Sequence, residues 1–348
     1  MRNVLREHGF VFVVGVLLIG LISYFIYDGN KYKIDQKTQD GKDVVMSIDA
    51  GNVTADDLYE TMMKENGVLL YNIYRNEVVN QSVKTTDALE QEAKKLEENI
   101  LSAAKNSDAQ NYETILETEL TSYGFKSIDD LYNYCLISVK EKHMNQKYVD
   151  AHLDELVGSV SEKHPRSVSI VTMDVANPDA LTETEQKKKD DIDKSIESQG
   201  FAKTATAFSE DYSAGDQGIV GYIDDDSLND SSASLPVEVI TAALELEKDG
   251  TSDWISVSND TLETTTLYKV HVDETDVKTL YGSKNKTIKD QLLYAIINNT
   301  QGLATNILQQ NAGKVKVKFA DESLQKQLED TIAAQTTPAQ EEEQEAAQ

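Results

Sequence analysis

The chain has 348 residues, with 33 Lys+Arg against 61 Asp+Glu, a formal net charge of -28 and 39% hydrophobic residues. That length admits about two domains with ample core, while four prolines and seventeen glycines exclude a collagen-like or wholly disordered chain. A surface this negative repels phosphate backbones and carries no basic stripe, so nucleic acid is not an expected partner.

The single cysteine, Cys135, excludes an intrachain disulfide, and no CxxC pair or Cys/His cluster offers a zinc site. In LYNYCLISV it reads as a small buried side chain. The chain has no GxSxG, HExxH or P-loop motif, which argues against the common hydrolases and nucleotide binders. Gly215, Gly218 and Gly221 sit among acidic residues, hostile to phosphate. Asp224, Asp225 and Asp226 lack EF-hand spacing and read as solvated loop charge, so neither a metal nor another cofactor is expected.

In chain order, residues 10–27 (FVFVVGVLLIGLISYFIY) form an uncharged run preceded by Arg2 and Arg6. At 1.5 Å per residue it reaches about 27 Å, close to the thickness of a bilayer core. A cleaved signal would have a shorter apolar stretch and a small-x-small site, whereas SYFIYDGNKY is bulky and charged. A lipoprotein signal needs a cysteine just after the run, and none follows. The reading is an uncleaved single-pass anchor, with residues 1–9 as a cytoplasmic tail and the body extracytoplasmic.

VVMSIDA then reads as a short β run, and Thr54 followed by acidic residues as a helix start. Apolar residues recur at three- and four-residue spacings up to about residue 163, as in Leu89, Leu96, Ile100 and Ile115, Leu116, Leu120. Breaks fall at 106–108 and 124–130. His164-Pro165 ends the helical pattern, because the residue before proline leaves the α region. Residues 166–173 are β-branched enough for a strand, 182–200 read as a helix, 215–221 as a glycine loop, 235–246 as a short helix and 265–273 as a final strand. This order describes an α+β domain. Beyond it, 287–310 is an amphipathic helical stretch, KVKVKF (314–319) an alternating strand, and Asp321 the start of a short helix. From residue 335 the chain is Glu/Gln-rich, a solvated acidic tail.

Three blocks carry a resemblance. Residues 208–222 (FSEDYSAGDQGIVGY), 235–246 (LPVEVITAALEL) and Asp249-Gly250 before Trp254-Ile255 are similar, in order, to the loop-and-strand, helix and turn of parvulin-type (PpiC-like) peptidyl-prolyl isomerase domains. The flanking helical regions resemble PrsA-type foldases and SurA-type chaperones. That resemblance implies a helical chaperone domain formed by residues 28–164 and 275–334, with a parvulin-like α+β domain, 165–274, inserted between them and a disordered tail at 335–348.

Parvulins resemble one another in an apolar proline pocket beside two histidines and a Cys or Asp. Carried over by position, the histidines fall at Ser169 and Thr266, and the Cys/Asp position is Asp211. The pocket methionine becomes Leu235, the pocket aromatic Val239, and Tyr222 joins them as a substrate contact. His271 lies five residues from Thr266, an odd offset that puts it on the opposite strand face, and His164 adjoins Pro165. Neither replaces the missing imidazoles.

The resemblance therefore implies an extracytoplasmic foldase for unfolded or newly exported polypeptides, with its isomerase site degenerate. Met62, Met63, Tyr71, Tyr74, Tyr112, Tyr132, Tyr134 and Met144 are the expected client-binding side chains of the helical domain. The alternatives are an active prolyl isomerase and a non-enzymatic envelope adaptor or scaffold. The helical region is long enough to support a homodimer.

Overall fold

The computed structural model describes residues 38–39, 41–48, 51–56, 67–230, 233–259, 264–319 and 321–336. The apolar run 10–27, the stretch 57–66 containing Met62 and Met63, and most of the tail lie outside them. Among the described residues no helix is long and apolar enough to cross a membrane.

The fold is mixed α+β, and the chain divides into two compact units, 1–70 with 321–328 and 71–320 with 329–348. In the first, β1 (Thr38–Gln39), β2 (Lys42–Ile48) and β3 (Gly51–Thr54) form an antiparallel sheet in that order.

The second unit has helical and sheet regions. Helices α1 (Gly67–Ser82), α2 (Asp87–Ser107), α3 (Tyr112–Ser122) and α4 (Leu131–Leu156) lead through the one-turn α5 (Gly158–Ser161) to the sheet. Thr86 caps α2 by accepting the Leu89 N–H at 3.4 Å, and Asp87 and Glu90 lie at the positive end of that helix. Leu89 and Ala93 of α2 pack with Leu116, Leu120, Leu131, Cys135 and Val139. Burial removes Cys135 from water and pushes its thiol up to about 11, which keeps it unreactive.

After the sheet come α9 (Val277–Tyr281), α10 (Lys286–Asn299) and α11 (Leu303–Val315), while α12 (Glu322–Thr336) ends the described chain. Leu292, Ile296, Ile307 and Leu308 from these later helices join Val78, Val79, Ile137 and Met144 in one core. Each such fully buried aliphatic side chain contributes about 1.5–3 kcal/mol. At the surface Lys142 bridges Glu92 (3.1 Å) and Asp290 (2.6 Å), tying early and late helices together.

The structure corrects one reading of the sequence and refines two others. Residues 314–319 are not a strand: α11 runs through Val315 and the chain then leaves it at Lys316. Leu308, Ala312 and Val315 are spaced by four and three, so Lys314 and Val315 close a helical apolar stripe, and 317–319 form neither helix nor strand. The stretch 287–310 is two helices, parted where Gly302 adopts φ 66°. Residues 201–208, to which the sequence reading gave no element, form a helix that restarts after Gly200.

The sheet region holds β4 (Arg166–Val175), α6 (Glu183–Gln199), α7 (Phe201–Phe208), β5 (Ile219–Ile223), α8 (Val237–Leu244), β6 (Ile255–Asn259) and β7 (Thr264–Glu274). Its four strands are antiparallel in the order β5-β4-β7-β6. Thr182 starts α6 with a capping box: its hydroxyl accepts the Glu185 N–H at 3.2 Å, and the Glu185 carboxylate accepts the Thr182 N–H at 2.7 Å.

Candidate functional site

Side chains alternate across a strand, so register decides what meets what. Val168 pairs with Val272, Ile170 with Val270, Thr172 with Tyr268 and Asp174 with Thr266 on one face. Ser169 pairs with His271, Val171 with Lys269 and Met173 with Leu267 on the other. The first face packs on α8 through Val168, Ile170, Leu235, Val239, Ile240, Val270 and Val272. The second packs on α6 and α7 through Val171, Met173, Val175, Ile192, Phe201 and Ala205. Ser169 and Thr266 therefore lie on opposite sides of the sheet.

On the α8 face Leu235 and Val239 are both buried, and Val239 has no exposed surface. The far end of α8 is held by the buried Arg166. Its Nη1 donates to the carbonyls of Ala243 and Leu246, where a cation complements the negative helix end. Tyr268, Val220 and Val257 are half-buried and pack against the same cluster.

The segment before the glycine loop straps onto β4. The Thr172 N–H donates to Ser209 Oγ and the Glu210 N–H donates to the Thr172 carbonyl, each at 3.1 Å. Asp211 follows directly; its Oδ1 accepts the Ser213 N–H at 2.8 Å and starts a 3-10 turn, Tyr212–Asp216. Thr266 donates to Asp174 Oδ1 at 2.6 Å. Burial first, then the charges of Asp211 and Asp174, raise the pKa of the Tyr268 phenol above its ordinary value. Four of the residues singled out from the sequence thus relate to Tyr268: Leu235 and Val239 through a shared cluster, Asp211 through its field, and Thr266 through Asp174. Tyr268 itself was missed, although it lies two residues from Thr266 and period-2 alternation alone places the two on one face.

Tyr222 belongs elsewhere. Its ring enters the helical core, its hydroxyl donates to Asp224 Oδ2 at 2.8 Å, and its N–H donates to Gln291 Oε1 of α10 at 2.8 Å. Burial and the Asp224 carboxylate raise its phenol strongly. Gly221 (φ 140°) makes this docking possible, because a Cβ there would lie 2.5 Å from Gln291 Oε1.

On the α6/α7 face, Ser169 donates to Asp273 Oδ2 at 2.7 Å, and His271 Nδ1 meets Thr251 Oγ1 at 2.8 Å. The His271 ring stacks on Phe201 with centroids 4.9 Å apart. Burial raises the Asp273 carboxyl, against the Ser169 hydrogen bond and the nearby His271. His164 is exposed and bonded to Asp225. Among the described residues, no imidazole stands on the α8 face.

Other candidates are committed to structure. Asp224 caps the turn Asp225–Asn229, and Asp226 pairs with Lys163 at 2.7 Å. A cleft of about 430 Å3 between this turn and α10 is bordered by those carboxylates, by Asp290, which Lys142 holds, and by Tyr294. In the helical region Met144 is buried, and Tyr71, Tyr74, Tyr112, Tyr132 and Tyr134 pack partly buried against its cores.

No protein-family model matches the chain, and no curated protein matches it. Among solved structures it is similar to PrsA from Bacillus subtilis, with 19% identity and a TM-score of 0.46, covering 83% of this chain and 98% of that one. It is similar to foldase protein PrsA from Streptococcus pneumoniae, at 18% identity and TM-score 0.41 over 82% and 98% of the two chains. Foldase protein PrsA from Lactococcus lactis gives 15% identity and TM-score 0.35, over 84% and 98%.

Proposed function

We propose that this chain is a membrane-anchored extracytoplasmic foldase or holdase for newly exported polypeptides, whose parvulin-like region binds extended segments and isomerises proline weakly or not at all. Rotation about an X–Pro bond meets a barrier of roughly 18–20 kcal/mol, and a catalyst must favour the twisted amide over the planar one. The observation that carries the reading is the α8 face. Leu235 and Val239 are themselves buried in its core, so the predicted proline pocket is filled; the face keeps the half-buried Tyr268 ring and the field of Asp211, yet has no imidazole among the described residues. Such a face suits binding better than catalysis.

The same proposal takes residues 28–164 and 275–334 as one helical chaperone domain with 165–274 inserted, 10–27 as the anchor and 335–348 as an acidic tail. The core shared by α1, α4, α10 and α11 supports that division.

Full-length protein in detergent micelles tests this directly. It should delay aggregation of a chemically unfolded client at equimolar ratio and bind extended peptides, while catalysing prolyl isomerisation only slightly. A robust isomerisation rate that disappears in Asp211→Ala would remove the degenerate-site part. Failure both to delay aggregation and to bind peptides would remove the foldase reading itself.

A further inference from the structure

One hydrogen-bond donor on the α8 face is unused. Among the described residues nothing hydrogen-bonds the Tyr268 hydroxyl, while its ring packs half-buried against the cluster holding Leu235 and Val239. Its neighbours are otherwise engaged. The Thr266 hydroxyl is given to Asp174, Asp211 Oδ1 holds the Ser213 N–H, and the backbone of Thr172 is strapped by Ser209 and Glu210. Glu210 in turn is paired with Lys188. What the face offers a visitor is an apolar ring edge, one free hydroxyl, and the charges of Asp174 and Asp211.

These features fit a particular chemistry. An extended segment containing proline lacks one backbone N–H, so it presents an excess of carbonyl acceptors, and an unpaired phenol is the complementary donor. We propose that Tyr268 fixes an extended client segment on this face, donating from Oη to a backbone carbonyl while an apolar client side chain packs beside its ring, and that Asp174 and Asp211 select against acidic segments. This rests on the peptide-binding reading above and assigns it a residue and a charge preference. An ordinary phenol is already protonated at neutral pH, and burial with the two carboxylates raises it further, so it remains a donor there.

The test uses the full-length chain in neutral detergent and two fluorescein-labelled peptides with an Ala-Leu-Pro-Phe centre, one flanked by lysines and one by glutamates, followed by anisotropy. The lysine-flanked peptide should bind wild type more tightly than the glutamate-flanked one by about fivefold or more, a difference that falls with added salt. Tyr268→Phe, which removes only the hydroxyl, should weaken binding of the lysine-flanked peptide by about five- to tenfold. Asp211→Asn should narrow the gap between the peptides. Equal binding by wild type and Tyr268→Phe, or no discrimination between the peptides by wild type, overturns this assignment while leaving the foldase reading intact. Wild type that delays client aggregation but binds neither peptide also overturns it alone. Wild type that does neither overturns both. The peptide comparison on wild type needs no variant, so it stands even where Tyr268→Phe does not fold.

Discussion

The two faces of the four-stranded sheet are written in alternate residues of the same strands, yet they treat polar groups in opposite ways. On the α6/α7 face Ser169 is spent on Asp273 and His271 on Thr251, so the polar side chains satisfy one another. On the α8 face Tyr268 keeps a free hydroxyl beside an apolar cluster. Residue type alone would have favoured the first face, with its serine, histidine and aspartate. A site needs groups left over after the fold has been satisfied, and those are on the second.

The strongest way to break the comparison is to damage both faces together. Gly218 has φ +86°, and a Cβ there would lie 2.6 Å from the Ile170 carbonyl and 2.7 Å from Ala205 Cβ, so it touches β4 and α7 at once. Gly218→Ala should destabilise by roughly 3–5 kcal/mol, as left-handed strain and overpacking add, read as a shift in urea midpoint. Met173→Ala attacks one face only. It should lower stability by about 2–4 kcal/mol while the peptide affinity of the folded protein stays within twofold of wild type, about the size of assay scatter. A loss of affinity there would mean that the faces are coupled.

Ser169→Ala should cost about 1 kcal/mol by leaving the half-buried Asp273 carboxyl without its donor, again with binding unchanged. Asp273 also sharpens the comparison through pH. Burial raises its carboxyl in the folded state, so that state holds the proton more tightly than the unfolded chain. The associated stability is complete below the unfolded carboxyl value of about 3.9 and is lost as pH rises through the raised folded value. Asp273→Asn should therefore gain stability relative to wild type as pH climbs from 4 towards 8, in a series of urea melts; a gap that shrinks with rising pH would contradict the assigned sign. The smallest effect is expected from Thr266→Ala, about 0.5 kcal/mol, because its contact with Asp174 is exposed.

Much of this was legible beforehand where the physics is local. The helix start at Thr182, the helix ending before Pro165, the burial of Cys135 and the strand character of 166–173 follow from residues within a few positions of one another. The failures share a cause. KVKVKF alternates as a strand should, but a strand also needs a partner; among the described residues none pairs with it, so its first two residues end α11 and 317–319 take no regular form. Thr266 and Ser169 were matched by position to one site, whereas pairing places Ser169 against His271 and Thr266 against Asp174. Tyr222 closes the glycine-loop block and looks like a site residue, until Gln291, 69 positions away, takes its N–H and draws it into the helical core.

By itself the sequence determined most of the helices and the strands that open and close the sheet region, where several breaks fall, and that the chain is acidic with an apolar run near its start. Only the tertiary structure decided that Tyr268 rather than Ser169 stands with Leu235 and Val239. Alternation is covalent geometry and can be counted along the chain. Register between β4 and β7 joins residues about a hundred positions apart and includes a shift between Ser167 and Val168, so it is settled by packing on both faces at once.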